Sequence, residues 1–202
     1  VFNNRMLWYI AMANAFVYMV RYGCLDWAPT YLKEAQGYDI KQAGWAYFAY
    51  EIAAIPGTIV CGIISDKVFK GARAMTTIIF MALVALFILL YWQFSDNYVI
   101  VTLSLIAIGF FIYGPVMLIG VHALDLAPKN AAGTAAGLTG FFGYFFGTAL
   151  LANVLIGYVA ENAGWDWTFI LLLGACALSI LLMALTYGSE RGMRKNNRVE
   201  VK

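Results

Sequence analysis

The sequence has 202 residues, of which 63% are hydrophobic and only 12% are charged, and its formal net charge is +2 at pH 7. Water-soluble domains carry about 25% charged residues, so this composition excludes an ordinary soluble domain. The hydrophobic residues also form long runs, which indicate a membrane protein.

Six apolar runs divide the chain, and each is long enough to cross the roughly 30 Å hydrocarbon core of a bilayer as a helix. Helices are expected because a backbone within lipid must satisfy its own hydrogen bonds. The predicted spans, in chain order, are Leu7–Leu32, Ala43–Ser65, Ala74–Phe94, Tyr98–Gly120, Ala132–Ala160 and Trp167–Tyr187. The expected fold class is an all-α membrane protein with six transmembrane helices embedded in the lipid bilayer.

Basic residues are distributed unevenly among the connections between these spans. The first, third and fifth connections carry only Lys33 and Lys41. The N-terminus, the second and fourth connections and the C-terminal tail carry Arg5, Lys67, Lys70, Arg73, Lys129, Arg191, Arg194, Lys195, Arg198 and Lys202. Because lysine and arginine accumulate on the cytoplasmic side, this pattern predicts that both termini are cytoplasmic. An even number of spans also places the two termini on the same side of the membrane.

The first span carries a charged residue near its middle, Arg21. A central arginine costs about 2.5–3.5 kcal/mol to insert, and such residues usually face a cavity or a partner. Asn14, Tyr18 and Arg21 are spaced i, i+4, i+7 and share one helical face. A guanidinium suits phosphate because its planar fork donates two parallel hydrogen bonds. Anion binding is one interpretation, and a structural ion pair with Asp26 or Glu51 is the other.

Two acidic residues accompany this arginine. Glu51 lies inside the second span, where it would balance Arg21 when no substrate is bound, carry a proton, or act as a fixed structural counter-charge. Asp26 lies towards the outer end of the first span. A local ion pair, or a contact with a segment outside this chain, is the interpretation we give to it.

The fourth span contains Tyr113 beside Gly114-Pro115, which predicts a local kink. Tyr113 either lines a ligand pocket through its hydroxyl or packs with an incidental polar contact. His122, the single histidine, is interpreted as an interfacial structural residue, with a titrating gate as the alternative.

The fifth span is rich in glycine. Two pairs with GxxxG spacing, Gly133/Gly137 and Gly143/Gly147, predict close helix packing. Tyr144, within the same span, faces either the cavity or a neighbouring helix.

Six spans divide naturally into three plus three, as in transporters built from inverted repeats whose substrate site lies near the membrane midplane. Arg21 in the first span and Tyr113 in the fourth lie at similar depth in equivalent helices of the two predicted repeats. Both residues are therefore candidates for a site between the repeats.

The second connection reads GIISDKVFKGAR and contains Gly62, Asp66, Lys67, Lys70 and Arg73. This segment resembles the loop signature of the major facilitator superfamily, with its basic residues respaced.

Three longer segments extend the resemblance over nearly the whole chain. They are RYGCLDWAPTYLKE from Arg21, WAYFAYEIAAIPGT over Trp45–Thr58, and IYGPVMLIGVHALDLAPKNAAGTAAGLTGFFGY over Ile112–Tyr144. Together they are similar to the C-terminal half of the organophosphate:phosphate antiporter family, and to its glycerol-phosphate branch rather than its hexose-phosphate branch.

The resemblance implies exchange of external glycerol-3-phosphate for internal inorganic phosphate across a bacterial inner membrane. It implies that Arg21 is one of two arginines that bind the phosphoryl group, the other coming from an N-terminal six-helix half. Tyr18, Tyr113 and Tyr144 match cavity tyrosines of the family. Asp26 and Glu51 match acidic residues proposed to exchange salt-bridge partners.

The chain departs from the family in length, since a family member has twelve spans and this chain has six. It begins with Val1 rather than methionine, which indicates a boundary inside a longer protein. We expect that this half alone is not competent for transport.

Two other functions stay open from the sequence: a transporter-like sugar-phosphate sensor, and a proton-coupled carrier for another organic anion. An enzyme is disfavoured because no nucleophile and base are positioned together, so no catalytic residue is assigned. Nucleic-acid binding is disfavoured because the basic residues follow membrane topology. Cys24, Cys61 and Cys176 lack disulfide or metal-ligand spacing and are expected to be buried thiols, and no cofactor or metal is expected.

Overall fold

The computed structural model describes residues 4–34 and 36–200, with side chains omitted from the description at 189, 191 and 193–200. This part of the chain forms helices and contains no strand, which confirms the all-α prediction. Its six long helices are α1 Arg5–Glu34, α2 Ile40–Val68, α3 Arg73–Gln93, α4 Tyr98–Leu126, α5 Lys129–Asn162 and α6 Trp165–Glu200. The described helices extend past most predicted span ends, especially α4 beyond Gly120 and α6 beyond Tyr187.

Five of these helices, α2 to α6, are long and apolar enough to cross a membrane. The helix α1 is long enough, but its polar residues, including Asn14 and Arg21, lower its mean hydropathy. Its position compensates for this, because α1 packs against α2, α4, α5 and α6 and buries residues along its whole length.

The packing of the helices has a three-plus-three symmetry. The helix α1 contacts α4, α5 and α6, and α4 correspondingly contacts α1, α2 and α3. The third helices of the two repeats, α3 and α6, contact each other. Replacing each helix by the one three positions away therefore leaves the contact pattern unchanged. Because α1 and α4 are separated by an odd number of crossings, the two repeats run in opposite directions, as an inverted repeat requires.

Two reciprocal glycines bring α2 and α4 into backbone contact. A Cβ atom on Gly57 would overlap the carbonyl oxygen of Phe110, and a Cβ atom on Gly109 would overlap the carbonyl oxygen of Tyr50. Only glycine permits so close an approach, as in small-residue crossings of membrane helices. This crossing places the middle of α2, including Glu51, beside the middle of α4.

The glycine pairs of α5 divide into one that packs and one that does not. Gly143 and Gly147 lie against Asn14, Ala15 and Tyr18 of α1, so the predicted close packing is confirmed there. The corresponding prediction for Gly133 and Gly137 is wrong within the described residues, because no heavy atom lies within 4 Å of a Cβ built on either. Their side of α5 faces away from α1.

A polar cluster closes one end of the bundle. Arg73 forms an ion pair with Asp66, and its Nη1 also donates to Ser65 Oγ at 3.0 Å. The carboxylate of Glu190 accepts hydrogen bonds from the backbone N–H groups of Arg73 at 2.5 Å and Ala74 at 3.3 Å. Because the first N–H groups of a helix lack partners within it, Glu190 caps α3 and fixes α6 against it.

The remaining loop residues and the histidine lie around this cluster. Lys67 and Lys70 are exposed, and Gly62 packs near the end of Met117. His122, interpreted from sequence as an interfacial structural residue, is buried near the end of α4, with its Nδ1 3.9 Å from Glu190 Oε1. The capping role of Glu190 was missed from sequence, because its partners lie on a helix that begins 117 residues earlier.

The three cysteines are free and buried, as predicted.

Candidate substrate site

Three partly buried side chains meet near the middle of three helices. Arg21 on α1 donates from Nη2 to the hydroxyl of Tyr113 on α4 at 2.8 Å. The Tyr113 hydroxyl donates in turn to the carboxylate of Glu51 on α2, whose two oxygens are both 2.8 Å away. The two residues that the sequence placed at equivalent depths of the two repeats are therefore hydrogen-bonded to each other.

The hydroxyl of Tyr113 stands between the two charges. No ion pair within 4.0 Å joins Arg21 to Glu51 or to Asp26 in the described part of the chain, so the structural ion pair that the sequence left open is not formed. Glu51 acts on the arginine through Tyr113, which accepts one hydrogen bond and donates the other. A guanidinium held by a neutral hydroxyl keeps its full charge for an anion.

Aromatic rings surround the guanidinium. Its central carbon lies 4.2 Å from the ring centroid of Tyr113, 4.7 Å from that of Tyr22 and 5.9 Å from that of Tyr18. These distances are those of cation–π contacts. Arg21 Nε is buried and has no hydrogen-bond partner among the described residues. The site is thus a partly desolvated positive charge with an unsatisfied donor.

Tyr50 contacts the backbone of Arg21. Its side chain is 1% exposed, and its hydroxyl donates to the backbone carbonyl of Arg21 at 3.3 Å. Since Gly109 packs on the Tyr50 backbone, this one residue connects α2 to both α1 and α4. Sequence reasoning missed Tyr50 and Tyr22; their positions directly beside Glu51 and Arg21 in the chain were the available signal.

The other predicted substrate residues lie along α1 and α5. Tyr18 is largely buried and meets the edge of Tyr144 with ring centroids 5.0 Å apart, while Tyr144 is exposed. Asn14 is buried and donates from Nδ2 to the carbonyl of Thr139 at 2.8 Å, which holds α1 to α5. The structure therefore brings Tyr18 and Tyr144 together near Arg21, but it uses the amide of Asn14 for a contact between helices.

Asp26 lies further along α1, within electrostatic range of Arg21 and Glu51. It is exposed on α1 and has no ion pair within 4.0 Å among the described residues. The described contacts thus include no local ion pair for this carboxylate.

An open groove of about 370 Å³ runs along α2 beside the site. Glu51, Tyr113 and Thr58 are its polar residues, and its other lining residues are Phe48, Ile52, Ala54 and Ile55. Ile52 and Ile55 are strongly exposed, so the groove lies on an outer face of the described bundle. Apolar walls with a few convergent polar groups are typical of small-molecule sites.

Comparisons with known proteins indicate the family and the fold. The Major Facilitator Superfamily profile matches residues 1–152. The chain is 55% identical over 192 residues to the glycerol-3-phosphate transporter of Bacillus subtilis strain 168, covering 95% of this chain and 43% of that protein. It is 32% identical over 207 residues to the hexose-6-phosphate:phosphate antiporter of Salmonella typhimurium, covering 99% of this chain and 44% of that protein.

The chain thus spans less than half the length of these curated relatives. Among solved structures, an auto-inhibited POT family peptide transporter matches with a TM-score of 0.76 and 18% identity, over 90% of this chain and 37% of that one. At that identity the match shows the fold alone.

Proposed function

Because the chain belongs to the Major Facilitator Superfamily, a family of multi-pass membrane transporters, we propose that it is the C-terminal six-helix half of a twelve-helix antiporter. The proposed antiporter exchanges glycerol-3-phosphate for inorganic phosphate. The names of two relatives, a glycerol-3-phosphate transporter and a hexose-6-phosphate:phosphate antiporter, support both substrates. The higher identity to the former favours glycerol-3-phosphate over a hexose phosphate. The proposed location is a bacterial inner membrane, with both ends of this segment on the cytoplasmic side.

The observation that carries the proposal is the state of Arg21. Its guanidinium is partly buried and is hydrogen-bonded to a neutral tyrosine rather than paired with a carboxylate. A buried cation is stable in a membrane protein when an anion or a polar partner compensates it. A phosphoryl group provides two oxygens in the spacing that the guanidinium fork requires.

The proposed mechanism is alternating access. A dianionic phosphate binds between Arg21 and an arginine of the N-terminal half, and the two six-helix halves rock around it. Two guanidiniums repel one another in the empty site, so the substrate binds the occluded state better than it binds the open states. That difference is what allows a ligand to shift a conformational equilibrium. It also makes the return of the empty carrier slow, which results in exchange rather than uniport.

The substitution Arg21→Lys tests this function in the full-length protein reconstituted into liposomes loaded with phosphate. Lysine keeps the positive charge but loses the planar fork. Hydrogen bonds to charged groups contribute about 1.5–3 kcal/mol, so losing one should raise KM for phosphate counterflow at least about tenfold. Near-normal exchange by this variant would refute the bidentate site.

The matched control is Arg5→Lys, the same substitution at the exposed start of the same helix, which should leave exchange unchanged. Glycerol-3-phosphate and glucose-6-phosphate are added as competitors of phosphate counterflow. The one that inhibits more strongly identifies the preferred organophosphate. Binding without counterflow in the unsubstituted protein would indicate a sensor. Uptake that follows a pH gradient rather than internal phosphate would indicate a proton-coupled carrier.

A further inference from the structure

Two tyrosine rings from different helices contact the guanidinium of Arg21. Tyr113 of α4 and Tyr22 of α1 place their ring centroids 4.2 Å and 4.7 Å from its central carbon. Tyr22 directly follows Arg21 in the chain, so the arginine side chain folds over its own neighbour. The Tyr22 ring also contacts Tyr18, with centroids 6.0 Å apart, which limits its own movement.

This arrangement affects how an anion binds. A cation–π contact places the guanidinium over the face of an aromatic ring, whereas a phosphate accepts hydrogen bonds in the guanidinium plane, where the N–H groups point. Ordering a flexible arginine side chain only on binding costs conformational entropy. A side chain already held by aromatic contacts avoids much of that cost, which raises affinity through preorganisation.

We propose that Tyr22 is a positioning residue whose ring, together with that of Tyr113, fixes the plane of the Arg21 guanidinium for in-plane binding of a phosphate-type oxyanion. This inference rests on the proposed function. The ring of Tyr22 carries the role, and its hydroxyl does not. Tyr22 touches the arginine and acts on the substrate through it.

The test replaces Tyr22 by phenylalanine and then by mono-, di- and trifluorinated phenylalanines in the full-length protein. Fluorine withdraws electron density from the ring face and weakens a cation–π contact while nearly preserving side-chain shape. The readouts are KM and kcat for phosphate counterflow in liposomes, and Kd for inorganic phosphate by calorimetry in detergent. Cation–π contacts contribute about 0.5–2 kcal/mol. We therefore expect KM and Kd to rise stepwise by about two- to thirty-fold in total, with kcat nearly constant.

Two results overturn the inference. Values of KM and Kd that do not change along the fluorinated series show that the ring face contributes nothing. A full loss of affinity already at Tyr22→Phe assigns the effect to the hydroxyl. The same series at Tyr9, half-buried on the same helix and outside the ring cluster, is the control and should leave both constants unchanged.

Failure of the proposed function has a different signature. An unsubstituted protein that binds and exchanges another solute but neither binds nor exchanges phosphate refutes both the function and this inference. An unsubstituted protein that exchanges phosphate, with an unresponsive series at position 22, refutes the inference alone.

Discussion

At the scale of single residues, the hydroxyl of Tyr113 is the contact on which the site depends. It joins Arg21 and Glu51 through hydrogen bonds of 2.8 Å on either side, so each charge is partnered without a direct ion pair. A direct pair would neutralise the arginine and compete with substrate. The tyrosine therefore keeps the carboxylate close while leaving the guanidinium available to an anion.

The substitution Tyr113→Phe removes that hydroxyl and keeps the ring that faces the guanidinium. We expect Glu51 and Arg21 to pair directly, so that substrate must displace a carboxylate. Losing a hydrogen bond to a charged group costs about 1.5–3 kcal/mol, which predicts a KM for phosphate higher by about tenfold or more. This KM is measured from the kinetics of phosphate counterflow by the full-length protein in liposomes.

Two further variants determine whether the explanation is right. Removing the competing charge with Glu51→Gln in the Tyr113→Phe background should recover part of the affinity. The control Tyr98→Phe removes an exposed hydroxyl from the same helix and should behave as the unsubstituted protein. An unchanged KM in Tyr113→Phe would show that the bridge has no role in binding.

At the scale of elements, the contact between α2 and α4 positions the site. Gly57 and Gly109 let the two backbones touch, and Tyr50, whose carbonyl lies against Gly109, also binds the Arg21 carbonyl. The same contact places Glu51 opposite Tyr113. A small shift at this crossing would therefore displace residues on all three helices that form the site.

The substitution Gly109→Ala tests this crossing, because its methyl group would overlap the Tyr50 carbonyl. Overpacking costs about 1–3 kcal/mol, so the protein should unfold at a lower temperature in detergent. Phosphate counterflow should also fall.

Gly120 is the matched control on the same helix, since nothing lies within 4 Å of a Cβ built there. Gly120→Ala should leave stability unchanged or raise it by about 0.4–1 kcal/mol, through the restricted unfolded chain. Equal effects of the two alanine variants would contradict the close-approach explanation.

At the scale of the whole molecule, the contact pattern is symmetric under exchange of the two three-helix repeats. The arginine and the tyrosine at the centre come from their equivalent first helices, α1 and α4. In the proposed exchange the substrate lies between this six-helix half and the N-terminal half, and rocking of the two halves opens the site to each side in turn.

The proposed orientation predicts which exposed lysines face the cytoplasm. Single cysteines at Lys67 and Lys41, which are both exposed and lie at opposite ends of α2, should react with an impermeant maleimide in opposite vesicle orientations. Position 67 should label only in inside-out vesicles and position 41 only in right-side-out vesicles. The native cysteines are buried and provide a low background. The reverse pattern would invert the topology.

The sequence by itself determined the class, the helices and the principal charges. Long apolar runs separated by charged connections can cross lipid only as helices. An arginine within such a run needs a compensating partner. Arg21, Glu51 and Tyr113 were identifiable for this reason. Only the tertiary structure decided how they combine, because side-chain contacts between helices depend on where backbones can approach.

That dependence explains the residues that were missed and the prediction that was wrong. Two of the missed residues, Tyr50 and Glu190, act through partners on other helices, and Tyr22 acts through the folded-back side chain of Arg21. Contacts of these two kinds leave no periodic signal in the sequence. Gly133 and Gly137 have the same spacing as Gly143 and Gly147, yet only the second pair meets α1. Spacing defines a face of a helix, and the fold decides what that face contacts.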